Sequence, residues 1–129
     1  MIRGNAPGCA VLAAIVLCCG CSSVYAADLS AQSKAEIDYL FSYLRNSGCQ
    51  FNRNGRWYST DETASHLNTK YKYLLDRNML SSTEDFIDKA ATSSSVSGKL
   101  YLVKCGNEES VKSSEWFRTG LSRYRSEKR

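Results

Sequence analysis

Of the six cysteines in this 129-residue chain, only Cys49 and Cys105 lie outside the first 26 residues, and that pair constrains the fold more than any other two side chains. The constraint follows from where the chain is sent. Arg3 precedes an apolar run from Ala10 to Cys19, and Val24-Tyr25-Ala26 offers a cleavage site after Ala26, which together read as an export signal. A membrane-spanning helix needs about 20 apolar residues in a row, and this run falls well short of that. The expectation is a signal peptide over residues 1–26, a periplasmic location and no transmembrane span in the mature protein. In an oxidising compartment Cys49 and Cys105 pair with each other. The bond closes a loop of 57 residues, worth roughly 4 kcal/mol on the chain-entropy model. It sets the two Cα atoms about 4.4 to 6.8 Å apart.

A second address is open. Leu17-Cys18-Cys19-Gly20-Cys21-Ser22 partly follows the pattern of a bacterial lipoprotein processing site, which would anchor the protein through Cys21; Cys18 stands where an aliphatic residue is usual. In either case residues 27–129 are too few for more than one domain. Two cysteines and the distant His66 fall short of a structural metal site, so no metal and no cofactor is expected. Beyond the leader, 16 Lys and Arg stand against 13 Asp and Glu. That mild excess does not point to nucleic acid, which is recognised through clustered positive charge. The basic tail Arg118, Arg123, Arg125, Lys128 and Arg129 reads as a solvated helix end, where cations are favourable by themselves. The alternative is a site for phosphate or an anionic envelope polymer.

Hydrophobic periodicity divides the domain. Ile37, Leu40, Phe41 and Leu44 mark a helix over 30–47, with Ser33 and Glu36 in capping-box spacing and Gly48 as a stop. Asn54-Gly55 between 49–53 and 56–58 predicts a hairpin, since both turn residues must accept positive φ. Ser59 and Glu62 cap a second helix with the stripe Ala64, Leu67, Tyr71, Leu74 and Leu75, ending near Asn78. Ser82 or Thr83 caps a short third helix whose Phe86, Ile87, Ala90 and Ala91 face inward. Ser93 to Gly98 is a turn. Lys99 to Cys105 reads as a central strand covered on both faces, Gly106 to Lys112 as a loop, and Ser113 or Ser114 as the cap of a last helix carrying Trp116, Phe117, Leu121 and Tyr124. The fold class is α+β: a small antiparallel or mixed sheet, the hairpin plus one later strand, packed against about four helices and stapled by one disulfide.

Three constellations could carry chemistry. Glu62, His66 and Lys70 share one helical stripe, so the carboxylate could orient the imidazole while Lys70 opposes its charge; the plain alternative is an i, i+4 ladder. The serine turn, with Ser95, Ser97 and Lys99, could hold an anion in its hydroxyls and N–H groups, or serve only as a polar connector. Arg53, Arg56 and Trp57 at the hairpin tip are residue types that dominate binding hot spots, although alternation should bury either Trp57 or Tyr58. Catalytic spacings such as G-x-S-x-G, S-x-x-K and H-E-x-x-H are not found in the sequence.

Read together, Phe51-x-Arg53-Asn54-Gly55-x-x-Tyr58, Ala64-x-His66-Leu67-x-x-Lys70, Glu84-Asp85-Phe86-Ile87 and Ser94-Ser95-x-Ser97-Gly98-Lys99-x-Tyr101 resemble the YfeK-like family of small exported proteins from Gram-negative bacteria. The resemblance runs from about Ala35 to Leu121, with Leu100 in place of the proline often found before the tyrosine. That family is classed as a domain of unknown function, so the resemblance implies an envelope location and no reaction. The sequence therefore favours a periplasmic binding domain whose partner is another envelope protein or an anionic component such as peptidoglycan or lipopolysaccharide. The alternatives are a small envelope hydrolase, with His66 as base, Glu62 as its orienter and Ser95 as nucleophile, and a purely structural protein.

Overall fold

The computed structural model describes residues 28–129 and the isolated positions Gly4, Ile15 and Gly20. The export signal, cleavage after Ala26 and the lipoprotein alternative at Cys21 lie outside these residues. Along the chain run α1 (Ala31–Asn46), β1 (Gln50–Arg53), β2 (Arg56–Tyr58), α2 (Thr60–Asp76), α3 (Thr83–Ala90), β3 (Leu102–Lys104), β4 (Val111–Lys112) and α4 (Ser113–Glu127). The fold is α+β: four helices against a four-stranded sheet in the order β2-β1-β3-β4, every pair antiparallel. Among the described residues no helix is long and apolar enough to cross a membrane.

The local signals act where the sequence places them. Asn54 (φ 53°) and Gly55 (φ 83°) both take the left-handed region, as the tight hairpin requires. Ser59 and Glu62 form a complete capping box at the start of α2, and Ser82 caps α3. Phe86, Ile87, Ala90 and Ala91 are all buried. The central helix is α1, which touches each of the other three and buries Ile37, Leu40 and Leu44 completely. Beside it α4 comes close enough that a Cβ on Gly120 would stand 2.7 Å from the Tyr43 ring, which itself stacks on Trp116.

The disulfide joins Cys49 to Cys105 with Cα atoms 4.3 Å apart, just below the expected span. It sits one residue beyond the Gln50–Lys104 pair and so extends the β1–β3 ladder at one end.

Four expectations are corrected. Ser33 and Glu36 do not form a capping box: Ser30 caps α1, behind the buried Leu29, which puts Glu36 in the helix body facing inward. The strand expected over Lys99–Cys105 is regular only at Leu102–Lys104 and is covered on one face, because Tyr101 and Val103 are buried while Leu100 is 49 % exposed. The loop Gly106–Lys112 contains a strand of its own: Val111 and Lys112 pair with β3. That pairing carries the chain straight into α4, so Lys112 takes the capping position and no serine side chain caps the helix.

The basic tail is exposed at Arg123, Lys128 and Arg129, as a solvated helix end should be, but two of its cations are engaged. Arg125 Nε donates to Glu36 Oε2 at 2.6 Å, its Nη2 to Glu36 Oε1 at 3.0 Å and its Nη1 to Glu84 Oε1 at 2.6 Å. Thr83 Oγ1 donates to the same Glu36 carboxylate at 2.7 Å. Arg118 pairs with Asp88. One guanidinium thus locks α4 onto α1 and α3, and its fork geometry matches a carboxylate in two-point contact.

Candidate functional site

Segments that are far apart in sequence meet between the hairpin tip, the N-terminal half of α2 and the serine turn. The turn is built around Ser94, whose Oγ accepts from the N–H groups of Val96 and Ser97 while its carbonyl accepts from Gly98. The hairpin is clamped to it by one side chain. Asn54 Nδ2 donates to Ser94 Oγ at 3.3 Å, and Ser97 Oγ donates to Asn54 Oδ1 at 2.5 Å. Asn54 therefore sets the turn and holds a second loop against it.

Beneath the clamp lies Tyr101, 6 % exposed. Its hydroxyl is 3.3 Å from Lys70 Nζ and 3.2 Å from His66 Nε2, and Lys70 also donates to the Ser93 carbonyl at 3.0 Å. An ammonium can only donate, so Tyr101 accepts from Lys70, and its own proton can serve His66 Nε2 when the neutral ring carries its proton on Nδ1. Arg53 lies over the Tyr58 ring at 4.3 Å and joins Tyr58, His66 and Tyr101 around a hollow of about 20 Å³. That is room for one water-sized group, so a larger ligand must lie outside and reach in with a small moiety.

The electrostatics of the cluster are one-sided. Burial, reinforced by the charges of Arg53 and Lys70, pushes His66 down to about 4. Burial and then Arg53 lower Lys70; burial raises Tyr101, with Arg53 opposing. At neutral pH the site holds two cations, a neutral imidazole and a neutral phenol. Glu62 feels Arg56 and Arg53, but its carboxylate accepts from Ser59 N at 2.9 Å in the capping box. Among the described residues the ion pairs are Lys89–Asp85, Arg118–Asp88, Arg125–Glu36 and Arg125–Glu84, which leaves Arg53 and Lys70 without one.

A carbon-detected NMR titration of the His66 ring is expected to stay flat through neutral pH and turn near pH 4. A midpoint at the ordinary 6.5 would mean that the ring is solvated and the cluster open. The sign for stability follows: between these values the unfolded chain binds a proton that the native ring refuses, so stability falls as pH drops through that window.

The residues singled out in the sequence divide into two groups. His66 and Lys70 converge on the Tyr101 hydroxyl, and Arg53 lines the same hollow as His66 and Tyr101. Ser97 and the Lys99 backbone build the turn clamped to Asn54, with Lys99 N donating to Ser97 Oγ. Arg56 lies over Tyr58 at 5.4 Å on the rim. Trp57 points away: it pairs with Asn52 on the opposite face of the sheet, 39 % exposed. The relay of Glu62, His66 and Ser95 is not assembled, because Glu62 is engaged by Ser59, His66 by Tyr101, and Ser95 lines a separate hollow with Thr69, Lys70 and Tyr73. Sequence reasoning missed Tyr101 as the hub and Ser94 as the turn's organiser, although the run from Ser94 to Tyr101 that carries the family resemblance contained both.

The chain is 37 % identical over 76 residues to the uncharacterized protein YfeK of Salmonella typhimurium (strain LT2), an alignment covering 58 % of this chain and 62 % of that protein. The chain thus spans less than two thirds of the length of this curated relative. No solved structure matches. Residues 31–125 match the family of unknown function DUF5329, from the first residue of α1 to the arginine that locks α4. The chain belongs to the DUF5329 family.

Proposed function

We propose that this protein is an exported binding domain of the bacterial cell envelope, and that the cluster around Tyr101 takes an anionic group of its partner. The partner class is an anionic envelope component, peptidoglycan or lipopolysaccharide, or an acidic patch on an envelope protein. One observation carries this reading: Lys70 donates to the buried Tyr101 phenol, Arg53 lines the hollow beside it, and among the described residues neither cation stands in an ion pair. Withdrawing cations from water without a counter-charge is unfavourable. An anion that enters from outside relieves that cost, and the binding free energy includes the relief. The narrow hollow fits a carboxylate or phosphate oxygen better than an enclosed substrate, which favours binding over hydrolysis.

Cosedimentation with purified sacculi and with lipopolysaccharide vesicles tests the proposal. The wild-type protein is expected to bind one of them at low salt and to lose it as salt screens the contact. Arg53→Ala and Lys70→Met should each weaken retention about tenfold, the size of one charge-assisted contact of about 1.5 kcal/mol, with unchanged circular dichroism. Equal retention of wild type and variants, or none to either material, overturns it. The intact mass of the protein from a periplasmic fraction tests the address. A chain starting at Ala27 supports signal cleavage, and a lipid-modified Cys21 supports the anchor.

A further inference from the structure

We propose that the hollow on the far side of Lys70 is a second subsite of the same site, and that it takes the ring of a sugar whose carboxylate or phosphate reaches Lys70 and Arg53. This rests on the anion-binding reading above. The hollow measures about 330 Å³ and is lined by Thr69, Lys70, Tyr73, Leu74, Lys89 and Ser95, a volume at the lower end of what small-molecule sites use. Lys70 lines this hollow and links it to the Tyr101 cluster. Its ammonium donates to Ser93 and Tyr101, and its third N–H remains for a ligand.

The lining has the three chemistries that an acidic sugar presents. Tyr73 is 52 % exposed, and the Arg77 guanidinium lies over its ring at 3.7 Å, so one face is held and the other is free for the C–H face of a pyranose. Leu74, nearly buried, is an apolar floor. Hydroxyl partners come from Ser95, whose side chain makes no hydrogen bond among the described residues, and from Thr69, which donates to the Ser65 carbonyl and keeps its lone pairs. Lys89 is already committed to the Met79 carbonyl at 2.6 Å, with Asp85 at 3.8 Å. The ligand charge is therefore directed to Lys70. A bare anion would use Lys70 and Arg53 and leave the aromatic face and the hydroxyls idle.

The test is an NMR titration of the protein with four probes: glucuronate, glucose 6-phosphate, glucose and inorganic phosphate. At least one charged sugar is expected to bind about tenfold tighter than both glucose and phosphate, moving the Tyr73 ring and the Ser95 amide together with Lys70. Whichever of glucuronate and glucose 6-phosphate binds tighter identifies the anion as carboxylate or phosphate. Tyr73→Ala, a change at an exposed position, should reduce the charged sugar to the affinity of phosphate and leave phosphate itself unchanged. If phosphate binds as tightly as the charged sugars and Tyr73 does not move, the ring subsite is wrong and the anion site stands. If glucose matches the charged sugars, the link to Lys70 is wrong. If no probe shifts Arg53 or Lys70, the anion reading itself fails.

Discussion

Replacing Cys49 and Cys105 together by serine is expected to cost about 4 kcal/mol and to lower the melting temperature by roughly 20 °C for a domain of this size. The bond lies where the loss is felt by two elements at once. Cys49 follows the exit of α1 by way of Gly48, at φ 64°, and Cys105 follows β3, so the bond ties the central helix to the central strand pair across a separation of 56 residues. Without it the unfolded chain regains the entropy of that loop. Thermal unfolding of the double variant and of the reduced wild type should agree. Melting within a few degrees of the oxidised protein would show that the bond contributes little and that the sheet holds its own register.

Arg125→Met is expected to remove about 3 kcal/mol. The lower part of the range for breaking a buried pair applies because the Arg125 side chain is 39 % exposed, whereas Glu36 is 2 % exposed. The cost arises from the carboxylate left behind. With Arg125 gone, Glu36 keeps only the Thr83 hydroxyl, and α4 loses its bond to Glu36 of α1 and Glu84 of α3 while keeping the Arg118–Asp88 pair. Glu36→Gln added to the Arg125 variant should therefore recover part of the loss, which a double-mutant cycle reads directly. The pH dependence has a definite sign. Hydrogen bonds from Arg125 hold Glu36 and Glu84 below the ordinary carboxylate value of 4.5. Their contribution is thus fully present above that value and lost as pH falls through the native pKa values. Urea midpoints measured from pH 7 down to pH 3 should fall more steeply in the wild type than in Arg125→Met. Parallel curves would mean that the carboxylates are solvated.

The elements that sequence reading placed are those specified within a few residues. The capping box of Ser59 and Glu62, the Asn54-Gly55 turn and the stripe Phe86, Ile87, Ala90 and Ala91 each carry their own instruction, and each forms. Where a local pattern competes with tertiary burial, it loses. Ser33 and Glu36 have the right spacing for a cap, yet Glu36 goes to a partner 89 residues away, which periodicity cannot reveal. For the same reason β4 was hidden: two residues carry no alternation, and only pairing with β3 defines them. The candidate site was half legible. His66 and Lys70 share a helical stripe by spacing alone, but their common partner Tyr101 comes from a segment at least 31 residues further on. Its buried hydroxyl gave no sign in a run that read as strand.

On the proposed reading, three segments, the hairpin tip, α2 and the serine turn, form one anion site around Tyr101. A titration of the isotopically labelled protein with inorganic phosphate, followed in amide and Arg side-chain NMR spectra, tests it most directly. Shifts are expected at Arg53 to Gly55, at His66 and Lys70, and across Ser93 to Tyr101, all fitting a single dissociation constant. Shifts concentrated along Arg118 to Arg129, or different constants for the three segments, would contradict it.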